Sequence, residues 1–280
     1  MECKMYAMSD LFSKTFSCFD RHALRMLDDL APGTLWDIGS LEESDGISHY
    51  LLRQDLLSLD QLQKEGLLNA KVLSPLQRDL MIRQAYQKFR PDYDFSSFAF
   101  DDQVQAGVLY QLFARKAKEW DWKKWDSVYR DYPQGKGVNL KTMEDDLFYL
   151  LFVQYELSKA WKEFSRACHH GGVKVIVHVP FPQRHQAVDA WYHNPLYDGE
   201  GNIRWDGAYR VLLELLEFYE GLADGVFFDG GEVLEEKPET AMYLAKKSQE
   251  MNLKVKVVVG DGFDDSLADR CGFRQLSKML

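Results

Sequence analysis

Val173-Lys174-Val175-Ile176-Val177-His178-Val179-Pro180 is the stretch that decides the fold. Its branched side chains suit a pleated, buried surface, and Pro180 closes the run because it has no N–H to continue a ladder. Gly171-Gly172 stand just before it and end a helical pattern that runs from Leu147 to Cys168. Downstream the rhythm repeats. A helix over Tyr209–Glu220 precedes the strand Gly225-Val226-Phe227-Phe228-Asp229, and Pro238 opens a helix to Met251. The strand Lys254–Val259 then ends in Gly260-Asp261-Gly262, with a short helix expected near Asp264. Strands alternating with helices imply parallel β/α units buried on both faces. Right-handed crossovers then give either a barrel or an open doubly wound sheet.

Upstream of this region the chain reads mostly helical. Asp20 to Leu30 has apolar residues at helical spacing and stops at Pro32-Gly33. Leu35-Trp36-Asp37-Ile38 is a short strand candidate. Ser74-Pro75 starts a helix that runs to about Phe89, and Val104 to Trp120 forms another. The 280 residues are 46% hydrophobic and 28% charged, a balance that excludes a disordered chain. No stretch has the length and apolarity of a membrane span, and Met1 to Met5 lacks the basic region and apolar core of a secretory signal. A net charge of −10 without a basic stripe argues against nucleic acid. Cys3, Cys18, Cys168 and Cys271 are too scattered for a zinc cluster, so reduced thiols in a cytoplasmic protein and no metal site are expected.

At the ends of parallel strands, His178, Asp229 and Asp261 are the polar residues that follow buried runs. Asp229 and Asp261 on neighbouring strands are a candidate carboxylate pair for retaining glycosyl transfer, one as nucleophile and one as acid/base. Each also fits a helix cap or an Asp-Gly turn. Gly260-Asp261-Gly262 lacks the third glycine of a dinucleotide loop. Asp198-Gly-Glu-Gly-Asn202 has Ile203 where a calcium loop needs glycine. Trp120, Trp122 and Trp125 could stack on sugar faces, but helix-end packing is the better expectation.

Several of these segments fall in an order that resembles the 4-α-glucanotransferases called amylomaltases or disproportionating enzymes, of the α-amylase superfamily. The resemblance is carried by Leu35-Trp36, by Ser48-His49-Tyr50 and by Leu57 to Leu68. It continues through Trp122-Lys-Lys-Trp125, Phe148 to Tyr155 and Lys174 to Pro180. Asp189-Ala-Trp191, Asn194-Pro-Leu-Tyr197, Trp205 to Tyr209, Asp224 to Asp229 and Cys271 to Leu280 complete it. It implies an α/β fold, an incomplete (β/α)8-type (TIM-like) barrel with helical N-terminal insertions. The expected organisation is a single partial barrel over 1–280, with a helical insertion region at about 60–168 and β/α units at about 173–280. The chain is expected to stop around the sixth strand of eight, leaving open sheet edges that its N-terminal helices, a protein partner or a second copy would cover.

By the same resemblance Asp229 holds the nucleophile position, while Phe227 replaces the arginine that would hold it and Gly230 replaces a histidine. The acid/base glutamate falls on Gly260, leaving Asp261 or Glu232 as substitutes. His178 stands in place of an aspartate, and with Trp191, Asn194 and Tyr197 it is a candidate substrate-binding residue. An apolar ring cannot replace a guanidinium fork. The expectation is therefore a family member with lost transferase activity that binds α-1,4-glucan or maltodextrin, or acts as an interaction module, without a cofactor. The alternative is an active transferase with a rebuilt site.

Overall fold

The computed structural model describes residues 3–5, 21–40, 42–43, 48–69, 77–89, 102–181, 188–192, 198 and 202–279. Its strands are β1 Cys3–Met5, β2 Leu35–Ser40, β3 Glu42–Glu43, β4 Ser48–Leu52, β5 Lys174–Pro180, β6 Gly225–Asp229, β7 Lys256–Val259 and β8 Arg274–Gln275. Its longer helices are α1 Arg21–Asp28, α2 Leu59–Lys64, α3 Arg78–Phe89, α4 Asp102–Ala117, α5 Ser127–Arg130 and α6 Glu144–His170. After β5 come α7 Val188–Tyr192, α8 Trp205–Glu220, α9 Pro238–Glu250 and α10 Asp265–Cys271. The chain divides into two compact units, 1–8 with 29–49 and 165–280, and 9–28 with 50–164.

The first unit is built on a six-stranded sheet in the order β1-β2-β5-β6-β7-β8, every neighbouring pair parallel. β1 and β8 are its edges among the described residues, so the sheet is open, an incomplete (β/α)8-type barrel. Alternation along β5 separates two faces. Val175, Val177 and Val179 are fully buried on one, while Lys174, Ile176 and His178 line the other. On β6, Val226 and Phe228 repeat the buried face and Gly225, Phe227 and Asp229 the inner one. Leu212, Leu215 and Leu216 of α8 and Leu244 of α9 are likewise at 0% exposure. Local chemistry fixes the connections. Pro238 sits in the first turn of α9, and the Asp264 carboxylate caps α10 by accepting the Leu267 N–H at 2.7 Å.

The strands over 225–229 and 256–259 and the helices over 205–220 and 238–250 lie where the sequence places them, within a turn at their ends. The short β1 and β8 carry no periodic signal and are additions. The Ser74-Pro75 start expected for α3 lies outside the described residues, and the helix is seen from Arg78.

The second unit is a helical layer around Tyr86, Tyr110, Phe113, Phe152 and Trp161, all at most 1% exposed. The Gln154 side chain from α6 completes the edge of β4, accepting the Leu52 N–H at 3.0 Å and donating to the Leu52 carbonyl at 2.9 Å. Trp125 is packed as expected, its indole N–H donating to the Glu119 carbonyl at 2.6 Å and its ring 4.8 Å from that of Tyr110. Trp120 remains 46% exposed. No described helix is long and apolar enough to cross a membrane.

Candidate active site

The polar residues of the inner face gather at the C-terminal ends of β2, β5, β6 and β7. The register between β2 and β5 shifts here: Asp37 faces Ile176 but Ser40 faces His178, so β2 carries one extra residue. Gly39, at φ +75°, absorbs this bulge, and its N–H donates to Asp37 Oδ1 at 3.0 Å. The Asp37 carboxylate is thereby turned toward His178, whose Nε2 lies 2.9 Å from Oδ1 and 3.0 Å from Oδ2. Asp37 is 5% exposed, so this partner satisfies a carboxylate that would be costly to bury alone. The His178 ring leans on Phe227, centroids 4.5 Å apart at 36°.

Asp229 ends β6 and is exposed, with its backbone carbonyl accepting the Phe181 N–H at 2.6 Å. Its carboxylate has no hydrogen-bond or ion-pair partner among the described residues. The chain then turns through Gly230 at φ +80°, where an added Cβ would stand 2.3 Å from the Phe181 carbonyl oxygen. The histidine that the resemblance puts at this position therefore does not fit this backbone.

After the turn, Gly231–Glu236 form a short 3-10 helix that carries Glu232 toward the end of β7. A Cβ on Gly260 would lie 2.9 Å from Glu232 Oε1 and 4.0 Å from the Phe227 ring. The Glu232 carboxylate thus stands over the space left by Gly260, a space that the Phe227 ring also borders. Asp261 follows in an exposed turn closed by the Phe263 N–H to the Gly260 carbonyl at 3.1 Å. Asp37, His178 and Phe227 form one row across β2, β5 and β6, with Glu232 reaching the end of β7 from the 3-10 helix after β6 and Asp229 exposed at the end of β6.

Trp191 on α7 is 2% exposed, so its ring is held in the interior. Asn194 and Tyr197 lie outside the described residues. Asp37 is the residue that inspection of the sequence passes over. Its signal is a carboxylate inside a strand at an inner-facing position, two residues beyond Leu35. Among the described residues no cluster of three or more His, Cys, Asp or Glu is arranged to hold a metal ion.

A parallel β/α sheet with its polar groups at the C-terminal strand ends defines the class, an incomplete (β/α)8-type barrel. The solved structure of an amylomaltase from Streptococcus agalactiae in complex with acarbose superposes with a TM-score of 0.79 at 15% identity. The superposition covers 98% of this chain and 72% of that one. The sequence model of the 4-alpha-glucanotransferase family matches residues 45–208, more than half of the chain. The chain belongs to the 4-alpha-glucanotransferase family. A 4-alpha-glucanotransferase of Clostridium butyricum is 24% identical over 123 residues, which is 42% of this chain. That match spans a quarter of the relative's length.

Proposed function

We propose that this chain binds α-1,4-glucan at the C-terminal ends of β5, β6 and β7 and has lost efficient glucan transfer. The observation that carries this reading is the Phe227 ring packed at a tilt against His178, at the position where the family resemblance puts an arginine. Retaining transfer needs a nucleophilic carboxylate held and charge-stabilised beside an acid/base. Asp229 keeps the carboxylate but among the described residues has no guanidinium beside it, and Gly260 carries no side chain. Loss of members from a catalytic set leaves only residual rate. What remains suits recognition: a histidine oriented by Asp37, an aromatic ring and exposed carboxylates, the mixture of flat and hydrogen-bonding groups that sugars use. His178 and Asp229 are the direct contacts of this reading, Trp191 supports from the interior, and the family resemblance adds Asn194 and Tyr197 as candidate substrate-binding residues. The amylomaltase of the same fold was captured with acarbose, which supports a glucan-like ligand.

Incubation with maltotriose is expected to give neither glucose nor longer maltodextrins above a buffer blank, while titration with maltoheptaose gives binding heat. Transfer product that disappears in Asp229→Asn would reject the loss of activity. Absence of heat would remove glucan from the account.

A second reading is favoured by one contact, the Glu232 carboxylate over Gly260. Here Glu232, delivered from the loop after β6, takes the acid/base role and the chain is an active transferase; Asp261 is the alternative substitute. Activity abolished by Glu232→Gln but retained in Asp261→Asn would establish it.

A further inference from the structure

At the opposite end of the same sheet, where the strands begin, the inner face opens into a cavity of about 460 Å³. Its floor is apolar, made by Leu35, Ile176 and Met279, and Gly225 leaves it uncluttered. Its rim is cationic: Lys174, Lys254, Lys256, Arg274 and Lys278 all line it. Strand register explains the convergence. Lys174 lies beside Leu35, Lys256 beside Gly225 and Arg274 beside Val258, so residues distant in sequence start neighbouring strands. At such inner positions a barrel usually places bulky branched side chains that pack and stabilise. Here they are charges.

Four of the five charges are also unanswered among the described residues. Asp224 is the one carboxylate in the lining, and its Oδ2 already accepts the Val175 N–H at 2.9 Å and lies 3.0 Å from His169 Nε2. Lys278 is 3.1 Å from Asp265. Lys174, Lys254, Lys256 and Arg274 have no ion-pair partner among the described residues. In a chain of net charge −10, gathering five cations around one concavity concentrates positive potential that an anion would relieve.

We propose that this cavity binds a phosphorylated small molecule with an apolar or aromatic body. Its phosphates meet the Lys and Arg rim, and its body lies on Leu35, Ile176 and Met279. Phosphate suits the rim because lysine serves it as a point charge and arginine as a two-pronged donor. The volume falls in the range of small-ligand pockets, about 300–1,000 Å³. Glucan is neutral and has no call on these charges, so the inference stands apart from the proposal for the other end of the sheet.

Titration with ATP and with inorganic pyrophosphate, the intact chain in the cell at 50 and 300 mM NaCl, tests it. One ATP per chain is expected, tighter than pyrophosphate and weakened several-fold by the higher salt, as charge screening requires. Lys174→Glu with Lys256→Glu should lose at least about tenfold in affinity, the scale of one lost charged contact. Lys246→Glu, on α9 outside the lining, should change nothing. Lys174→Gln with Lys256→Gln gives the milder test should the double reversal fail to fold, and it should also weaken ATP. Overturning results are no ATP heat, an affinity unchanged in both double variants, or pyrophosphate binding as tight as ATP, which leaves the apolar floor without a role. A dimer in sedimentation that the double variants dissociate, with no ATP binding, would assign the rim to a second copy's acidic surface and also overturn the proposal.

Discussion

Gly230 is the residue on which the loop after β6 turns. Its φ of +80° and the 2.3 Å approach of a Cβ to the Phe181 carbonyl oxygen act against any side chain. Gly230→Ala should cost about 2–4 kcal/mol, combining left-handed backbone with overpacking against a rigid carbonyl. Gly221, which has open space around it at φ −82°, is the control and should move stability by less than about 1 kcal/mol as alanine. Urea denaturation of both variants measures this. Glu156 makes a second residue-scale case. Its side chain is fully buried, and the Lys159 ammonium 2.7 Å from Oε2 lies outside hydrogen-bond alignment with it. Burial pushes the Glu156 carboxyl up to about 7, against the opposing pull of Lys159. An acid whose folded pKa lies above its unfolded one holds extra protons when folded, so stability falls as pH rises from about 4.5 through 7. Stability should decline across that window, and Glu156→Gln should flatten the profile. Chemical denaturation at pH 5, 6, 7 and 8 reads the slope. A slope of the same size in Glu156→Gln would place the effect elsewhere.

Elements show where one chain position constrains another. In α4, Gly107 is buried, and an added Cβ would meet Leu51 of β4 at 2.7 Å from its Cγ. Alanine would favour the helix by about 1 kcal/mol, yet the collision is with the branch point of a packed leucine, which cannot swing aside freely. Gly107→Ala should therefore destabilise by about 1–2 kcal/mol net, and Leu51→Ala in the same chain should partly relieve it. A double-mutant cycle by thermal or urea unfolding checks the sign. The elements also explain what could be read from the chain. β5, β6 and β7 were legible because four- to seven-residue branched or aromatic runs sit between glycines and helical stretches, and Asp229 was legible because it ends such a run. Asp37 was not, since a lone carboxylate in a short strand looks like an interruption. Its partner His178 lies 141 residues away, and only a one-residue bulge aims the two at each other. The sequence offers Glu232 as a substitute carboxylate, but its placement over Gly260 depends on the 3-10 turn that Gly230 permits.

The whole molecule carries 34 basic and 44 acidic residues, and its sequence pI is about 5.2. Solubility should pass through a minimum near pH 5 and recover on both sides, because loss of net charge removes the repulsion between copies. Turbidity at fixed concentration across pH 4–8 tests it, and a flat profile would mean that net charge does not control association. Among the described residues the edges are short, β1 having three residues and β8 two, which limits the sheet's own tendency to pair there. The arrangement along the strands has an electrical consequence. Asp37, Asp229, Glu232 and Asp261 stand where the strands finish, and Lys174, Lys254, Lys256, Arg274 and Lys278 where they start. The inner face is thus a dipole a few strand residues long, negative at one pole and positive at the other. Solutes meeting it are sorted by sign: an uncharged sugar feels neither pole strongly, while an anion is repelled from one and drawn to the other. Salt should therefore leave sugar binding almost untouched and weaken the anion's, so ionic strength separates the two ends of one sheet without any mutation.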